Sequence, residues 1–292
     1  SAPLRGVSVL VTRPRGQAAP LAAALAEQGA EPVVLPAIRI EDPVNPAPLH
    51  DAVSRLGDGG YDWVVFTSAN AVARLLAAVD RFGVDRSAFG RVAVVAVGGA
   101  TAAALAAESI QADIVPQRAS AEGVIEALAG RGLAGARVLY PKADAARDVV
   151  PKELRAFGAR VDAVEAYRTV AETEADPALV ARVGGEGVDV VTFASPSAVH
   201  GLKGLLGPAW RAVGHAEVLC VGPTTAAAAR DLGLPVHVVA ENPTTVGVIE
   251  ALTRHRAEPA AATKRNGNGT AKDRGSVTAG APAAARRGGE TT

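Results

Sequence analysis

The chain has 292 residues and a formal net charge of zero, with 30 lysines and arginines set against 30 aspartates and glutamates. A neutral molecule offers no overall field to draw it to nucleic acid or an anionic membrane, so any acidic ligand has to be recognised locally. No apolar run approaches the roughly 20 residues of a membrane span, and the N-terminus lacks the charged-then-apolar order of a leader, which sets a cytoplasmic location as the expectation.

In chain order, short β-branched runs at 7–11, 33–35, 63–66, 92–97 and 113–115, then at 138–140, 161–164, 188–193, 218–221 and 236–239, are predicted strands. Alanine- and leucine-rich stretches with helical spacing separate them, and Gly29, Gly158 and Gly233 stand where a helix C-terminus needs a residue tolerant of positive φ. Alternation of strand and helix predicts an α/β fold with parallel sheets covered on both faces. Cys220, the only cysteine, sits in the apolar run 218–221 and reads as a small buried hydrophobe; a disulfide within the chain is excluded. The five histidines show no ligand spacing, so no metal is expected. Residues 257–292 have no apolar period and are expected to be a disordered tail or a link to a further module.

The chain repeats itself. FTSANAV at 66–72 returns 127 residues later as FASPSAV, and VGGATAAAL from Val97 and EGVIEAL from Glu122 return 124 residues later as VGPTTAAAA and VGVIEAL. A second pair of blocks corresponds at an offset of 129: LRGVSVLVTRP from Leu4 with LAGARVLYPKA, and QGAEPVVLPAIRI from Gln28 with FGARVDAVEAYRT. Two similar α/β lobes, with five predicted strands per half, are the expectation.

Ligands of open parallel sheets bind beyond the carboxyl ends of the strands. The turns there carry Thr67 and Ser68, Thr101, Ser195 and Ser197, and Thr224 with Thr225, each near a helix start where free amides and the helix dipole favour an anion. Helix capping alone explains such residues about as well at any single turn; their number is what favours a binding cleft. Arg13, Arg15, Lys142 and Arg147 add positive charge after equivalent strands of the repeat. No dinucleotide, P-loop or nucleophile-elbow motif is present, which argues against nucleotide, phosphosugar and α/β-hydrolase chemistry.

TRP at 12–14, TSAN at 67–70, VGxxT at 97–101, AYRT at 166–169, FxSPS at 193–197 and VGxT at 221–224 together resemble the uroporphyrinogen-III synthase family over roughly residues 4–255. The resemblance implies two flavodoxin-like lobes joined by a two-stranded linker. The first lobe would be discontinuous, 1–37 plus 171–256, and the second would be 38–170, with linker strands near 36–41 and 165–170. It further implies a cofactor-independent lyase that cyclises hydroxymethylbilane, with loss of water and inversion of ring D, in heme and cobalamin synthesis. Tyr167 takes the family's catalytic position, and its repeat counterpart is Ile38. Substrate contacts are carried onto Arg13, Thr67, Ser68, Ala69, Gly98, Thr101, Lys142, Ser195, Ser197, Gly222, Thr224 and Thr225. A monomer is expected, with possible hand-over from hydroxymethylbilane synthase, no nucleic-acid partner and no membrane. The alternative from another class is a two-lobe binding or sensor protein for an anionic ligand on the same fold.

Overall fold

The computed structural model describes residues 2–257. Ala257, placed in the tail by composition, closes the last helix; the rest of the expected tail lies outside the described residues. The chain runs β1 (Ser8–Val11), α1 (Arg15–Glu27), β2 (Glu31–Val34), β3 (Ile38–Glu41), α2 (Ala47–Gly57), β4 (Trp63–Phe66) and α3 (Ala69–Arg81). It continues through β5 (Ala93–Ala96), α4 (Gly99–Ala107), α5 (Ala121–Leu128), β6 (Arg137–Ala143), α6 (Val149–Ala156) and β7 (Arg160–Ala171). The remainder is α7 (Pro177–Gly185), β8 (Val190–Phe193), α8 (Pro196–Leu206), α9 (Trp210–Val213), β9 (Glu217–Val221), α10 (Gly222–Asp231), β10 (Val238–Ala240) and α11 (Thr245–Ala257).

Two five-stranded sheets result. Sheet one has the order β10-β9-β8-β1-β2 and is wholly parallel; sheet two has the order β3-β7-β6-β4-β5. Taken from the other edge, sheet one is the first strand's neighbour, then the first, third, fourth and fifth of its unit, which is the flavodoxin-like order. Sheet two follows the same order from β7 to β5, and its fifth position is where the predicted strand at 113–115 belongs. Only an isolated bridge forms there, between Val95 and Ile114. The reason is local. Asp113 Oδ2 accepts the Val94 amide at 2.7 Å, and Pro116, two residues past Ile114, has no N–H to extend a ladder. The repeat counterpart uses the same device without that block: His237 Nδ1 accepts the Val218 amide at 3.0 Å, and β10 follows.

β7 is longer than its predicted core because it serves two ladders. Its first part pairs parallel with β6, and its last four residues pair antiparallel with β3, Ile38 against Ala171 and Glu41 against Arg168. The register slips between Lys142 and Ala143, so that these neighbours face Glu165 and Tyr167. Such a bulge breaks the in-out alternation and re-aims side chains. Ala166 and Tyr167 are accordingly buried in succession.

Alternate residues of each strand enter different cores, as parallel sheets covered on both faces require. In β4, Val64 and Phe66 face α2 and α3, whereas Val65 faces α5 and α6. In β1, Leu10 packs toward α8 and α10, whereas Val9 and Val11 meet Leu21 and Leu25 of α1 and Val248 of α11. Full burial of each such side chain contributes about 1.5–3 kcal/mol before the opposing chain entropy. Cys220 is fully buried in this packing, and burial pushes its thiol up to about 11.

Candidate functional site

The strands place their carboxyl ends at one cavity of about 630 Å³, lined by residues from both sheets' turns. That volume suits a small-molecule ligand of considerable size. Arg13, Thr67, Ser68, Ala69, Gly98, Thr101, Ser195 and Gly222 all line it, as expected from the sequence.

The local chemistry of each turn explains what it presents. Ser68 is extended at φ −153 and caps α3, its Oγ accepting the Ala71 amide at 3.0 Å. Ser195 does the same for α8, accepting the Ala198 amide at 3.2 Å, with Pro196 at the first helical position where its missing N–H costs nothing. The other two helix starts differ: Gly98 precedes α4 and Gly222 opens α10, with φ of 87 and 77 and no side-chain cap. Positive φ makes glycine the fitting residue at both places. Each sheet therefore offers the cavity one hydroxyl-capped helix start and one glycine start whose amides no side chain takes.

Tyr167 stands behind this wall. It is 7% exposed, and its hydroxyl lies 3.1 Å from Ser68 Oγ. Since Ser68 Oγ already accepts from Ala71, it has one lone pair and its own proton left for the phenol. Burial raises the phenol's pKa above the ordinary tyrosine value, and the Ser68 hydrogen bond offsets part of that. Tyr167 is thus a neutral O–H at neutral pH. Arg13 donates to the Pro243 carbonyl at 3.2 Å, and burial lowers its pKa without removing the charge that an arginine keeps in proteins. A partly desolvated cation at a cavity wall favours an anionic ligand group.

Four expected contacts lie elsewhere. Ser197 and Thr224 are exposed outside the cavity wall, and Thr225 is turned into the core beside Ala226. Lys142 does not line the cavity, and its ammonium pairs with Asp148 at 2.5 Å. Conversely, the structure brings in Gln17, Asn70 and Glu241, which sequence reasoning did not select. Gln17 Nε2 donates to Asn70 Oδ1 at 2.6 Å, linking α1 on sheet one to α3 on sheet two. Asn70 had a signal, its place in TSAN; Gln17 and Glu241 had none. Tyr140 was also passed over; its hydroxyl lies 3.5 Å from Thr67 Oγ1.

Fold and site together define a two-sheet α/β protein with a ligand cleft at facing strand ends, furnished with hydroxyls, free amides and a cation. Residues 19–250 match the family model described as uroporphyrinogen-III synthase HemD. The uroporphyrinogen-III synthase of Synechococcus elongatus is 31% identical over 259 residues, covering 86% of this chain and 96% of that protein. The chloroplastic uroporphyrinogen-III synthase of Oryza sativa subsp. japonica is 29% identical, covering 85% and 81%. A crystal structure of a mutant uroporphyrinogen III synthase from Thermus thermophilus superposes with a TM-score of 0.56 at 21% identity, over 86% of this chain and 98% of that one, and so shares the fold. The chain belongs to the uroporphyrinogen-III synthase family, enzymes of tetrapyrrole synthesis.

Proposed function

We propose that this protein cyclises hydroxymethylbilane to uroporphyrinogen III as a lyase that needs no metal or organic cofactor. The observation that carries the reading is the cavity itself: the family's motifs at 12–14, 67–70, 97–101 and 193–197 supply its wall from both sheets. In the reaction the hydroxymethyl carbon–oxygen bond breaks with electron push from the pyrrole nitrogen, and the oxygen leaves as water after taking a proton. Attack on that carbon by ring D gives a spiro intermediate, whose rearrangement inverts the ring and returns a proton. The protein's share is to fold the chain, hold it out of bulk water and seat one neutral donor.

Tyr167, with Ser68 in front of it, is that donor pair. The substrate's carboxylates are held by Arg13, by the bare amides at Gly98 and Gly222, and by Ser195 and Thr101. Ala69 contributes backbone and shape, and Lys142, Ser197, Thr224 and Thr225 take at most an indirect part. A cytoplasmic monomer receiving substrate from hydroxymethylbilane synthase fits this reading.

The test is to supply enzymically generated hydroxymethylbilane and resolve the type I and type III isomers. Type III product, formed by protein stripped with EDTA and dialysed, is expected. Type I alone, at the spontaneous rate, would make the protein a binder of anionic ligands on this fold; activity restored only by a divalent ion would refute cofactor independence.

A further inference from the structure

We propose that Tyr140 is a positioning residue of the site, fixing the Thr67 hydroxyl at the cavity wall. The proposal rests on the ring-closure reading above and assigns a role to a residue outside the cavity lining. Tyr140 lies in the middle of β6, 4% exposed, with its ring among Val65, Val97 and Val138. A buried hydroxyl without a partner is costly, so a phenol in such a place needs one. Thr67 Oγ1, at 3.5 Å, is its only hydrogen-bond partner among the described residues.

Internal symmetry shows that packing does not require this hydroxyl. The repeat places Val11 where Tyr140 stands and Ile38 where Tyr167 stands. Both positions are apolar in the first copy of the repeat and phenolic in the second, and the two phenols meet consecutive residues of one turn. That turn follows β4, whose border with β6 is the point where the strand order of sheet two reverses and where open α/β sheets take their ligands. Thr67 lines the cavity and Tyr140 does not, so Tyr140 acts through Thr67. By holding one threonine rotamer it decides whether hydroxyl or methyl faces the bound tetrapyrrole. Orientation fixed before binding raises turnover more than affinity.

The experiment is a double-mutant cycle on the full chain with Tyr140→Phe and Thr67→Val, measuring kcat, KM and melting temperature, with methyl NMR of Thr67 in the ligand-free protein. Expected is a fall in kcat of about tenfold for Tyr140→Phe, with KM within about twofold. The double variant should be no slower than Thr67→Val alone, and the Thr67 methyl should show rotamer averaging once the phenol hydroxyl is gone. Thr67→Ser, which keeps the hydroxyl, should stay sensitive to Tyr140→Phe and serves if Thr67→Val does not fold. Unchanged kcat in Tyr140→Phe, multiplicative losses in the double variant, or an unaltered Thr67 methyl would overturn the proposal. A wild-type protein without type III activity would instead refute the ring-closure reading, and the NMR result would still decide whether Tyr140 orders Thr67.

Discussion

At the scale of single residues, the phenol of Tyr167 separates chemistry from packing. Tyr167→Phe keeps the ring among Phe66, Leu139 and Val164 and removes only the contact to Ser68. Loss of a positioned proton donor is expected to lower type III turnover by about 10²-fold, with substrate affinity and melting temperature nearly unchanged. Tyr167→Ala, by contrast, empties a buried volume and is expected to cost about 3–5 kcal/mol, as truncation of a large aromatic does. Comparing isomer yield and thermal melts of the two variants checks this, and full turnover in Tyr167→Phe would take the hydroxyl out of the mechanism. Tyr167 was legible in the sequence through the AYRT motif and through its mismatch with Ile38 in the repeat. Its setting behind Ser68 was not, because a one-residue register slip opposite Lys142 and Ala143 turns it inward, and bulges leave little trace in a hydrophobic pattern. The residues that fall outside the cavity lining have a similar origin. Thr224 and Thr225 sit in the first turn of α10, but helical rotation sends one to solvent and the other into the core.

Among the elements, the repeat made strand order readable, since each unit had to bury two faces with the same set of runs. What it missed was one place where the copies differ in backbone chemistry, Pro116 against Ala240, which reduces a predicted strand to a bridge. Glycines within helices follow the same comparative logic. Gly123 in α5 and Gly247 in α11 are repeat equivalents, and an added Cβ would fall 2.1 Å from the Arg118 carbonyl oxygen in the first and 2.5 Å from Asn242 in the second. α8 offers an internal control. A Cβ on Gly201 would meet the Ala37 carbonyl oxygen at 2.3 Å and Ile38 at 3.1 Å, whereas Gly204 faces open space. Gly201→Ala is therefore expected to push α8 away from β3 and cost about 1–3 kcal/mol, as overpacking does. Gly204→Ala should be neutral or stabilising by up to about 1 kcal/mol through helix propensity. Denaturant titration of both variants decides it; equal midpoints would mean that α8 does not rest on the entry to β3 as described.

For the whole molecule, a neutral charge balance leaves stability near pH 7 insensitive to net charge, and the alkaline side is governed by buried acids. The Cys220 thiol is raised to about 11, and burial also raises Tyr140 and Tyr167. Unfolded, a thiol titrates at about 8.5 and a phenol at about 10. A group whose folded pKa lies above its unfolded one contributes fully below the unfolded value, and that contribution is lost as pH rises toward the folded value. Stability should accordingly start to fall above about pH 8.5 through Cys220 and more steeply above about pH 10 through the tyrosines. Cys220→Ala is expected to flatten the first part of that decline while lowering the melting temperature at pH 7 through lost packing. A pH series of thermal melts reads both effects, and an unchanged slope between about pH 8.5 and 10 in the variant would exclude the thiol as its source. Which strands share a sheet was legible only through the order of the repeated blocks, because nothing in a strand's own residues says which distant strand it will join. That arrangement also has a consequence in time. Sheet two draws all its strands from residues 38–171, whereas β1 lies in the middle of sheet one, between β2 and β8, and waits for a partner some 180 residues downstream. On a ribosome, the middle of the chain can close its sheet while β1 and β2 still present an open edge. Pulse proteolysis of stalled nascent chains should then find residues 38–171 protected well before residues 8–34, which gain protection only once β8 has emerged.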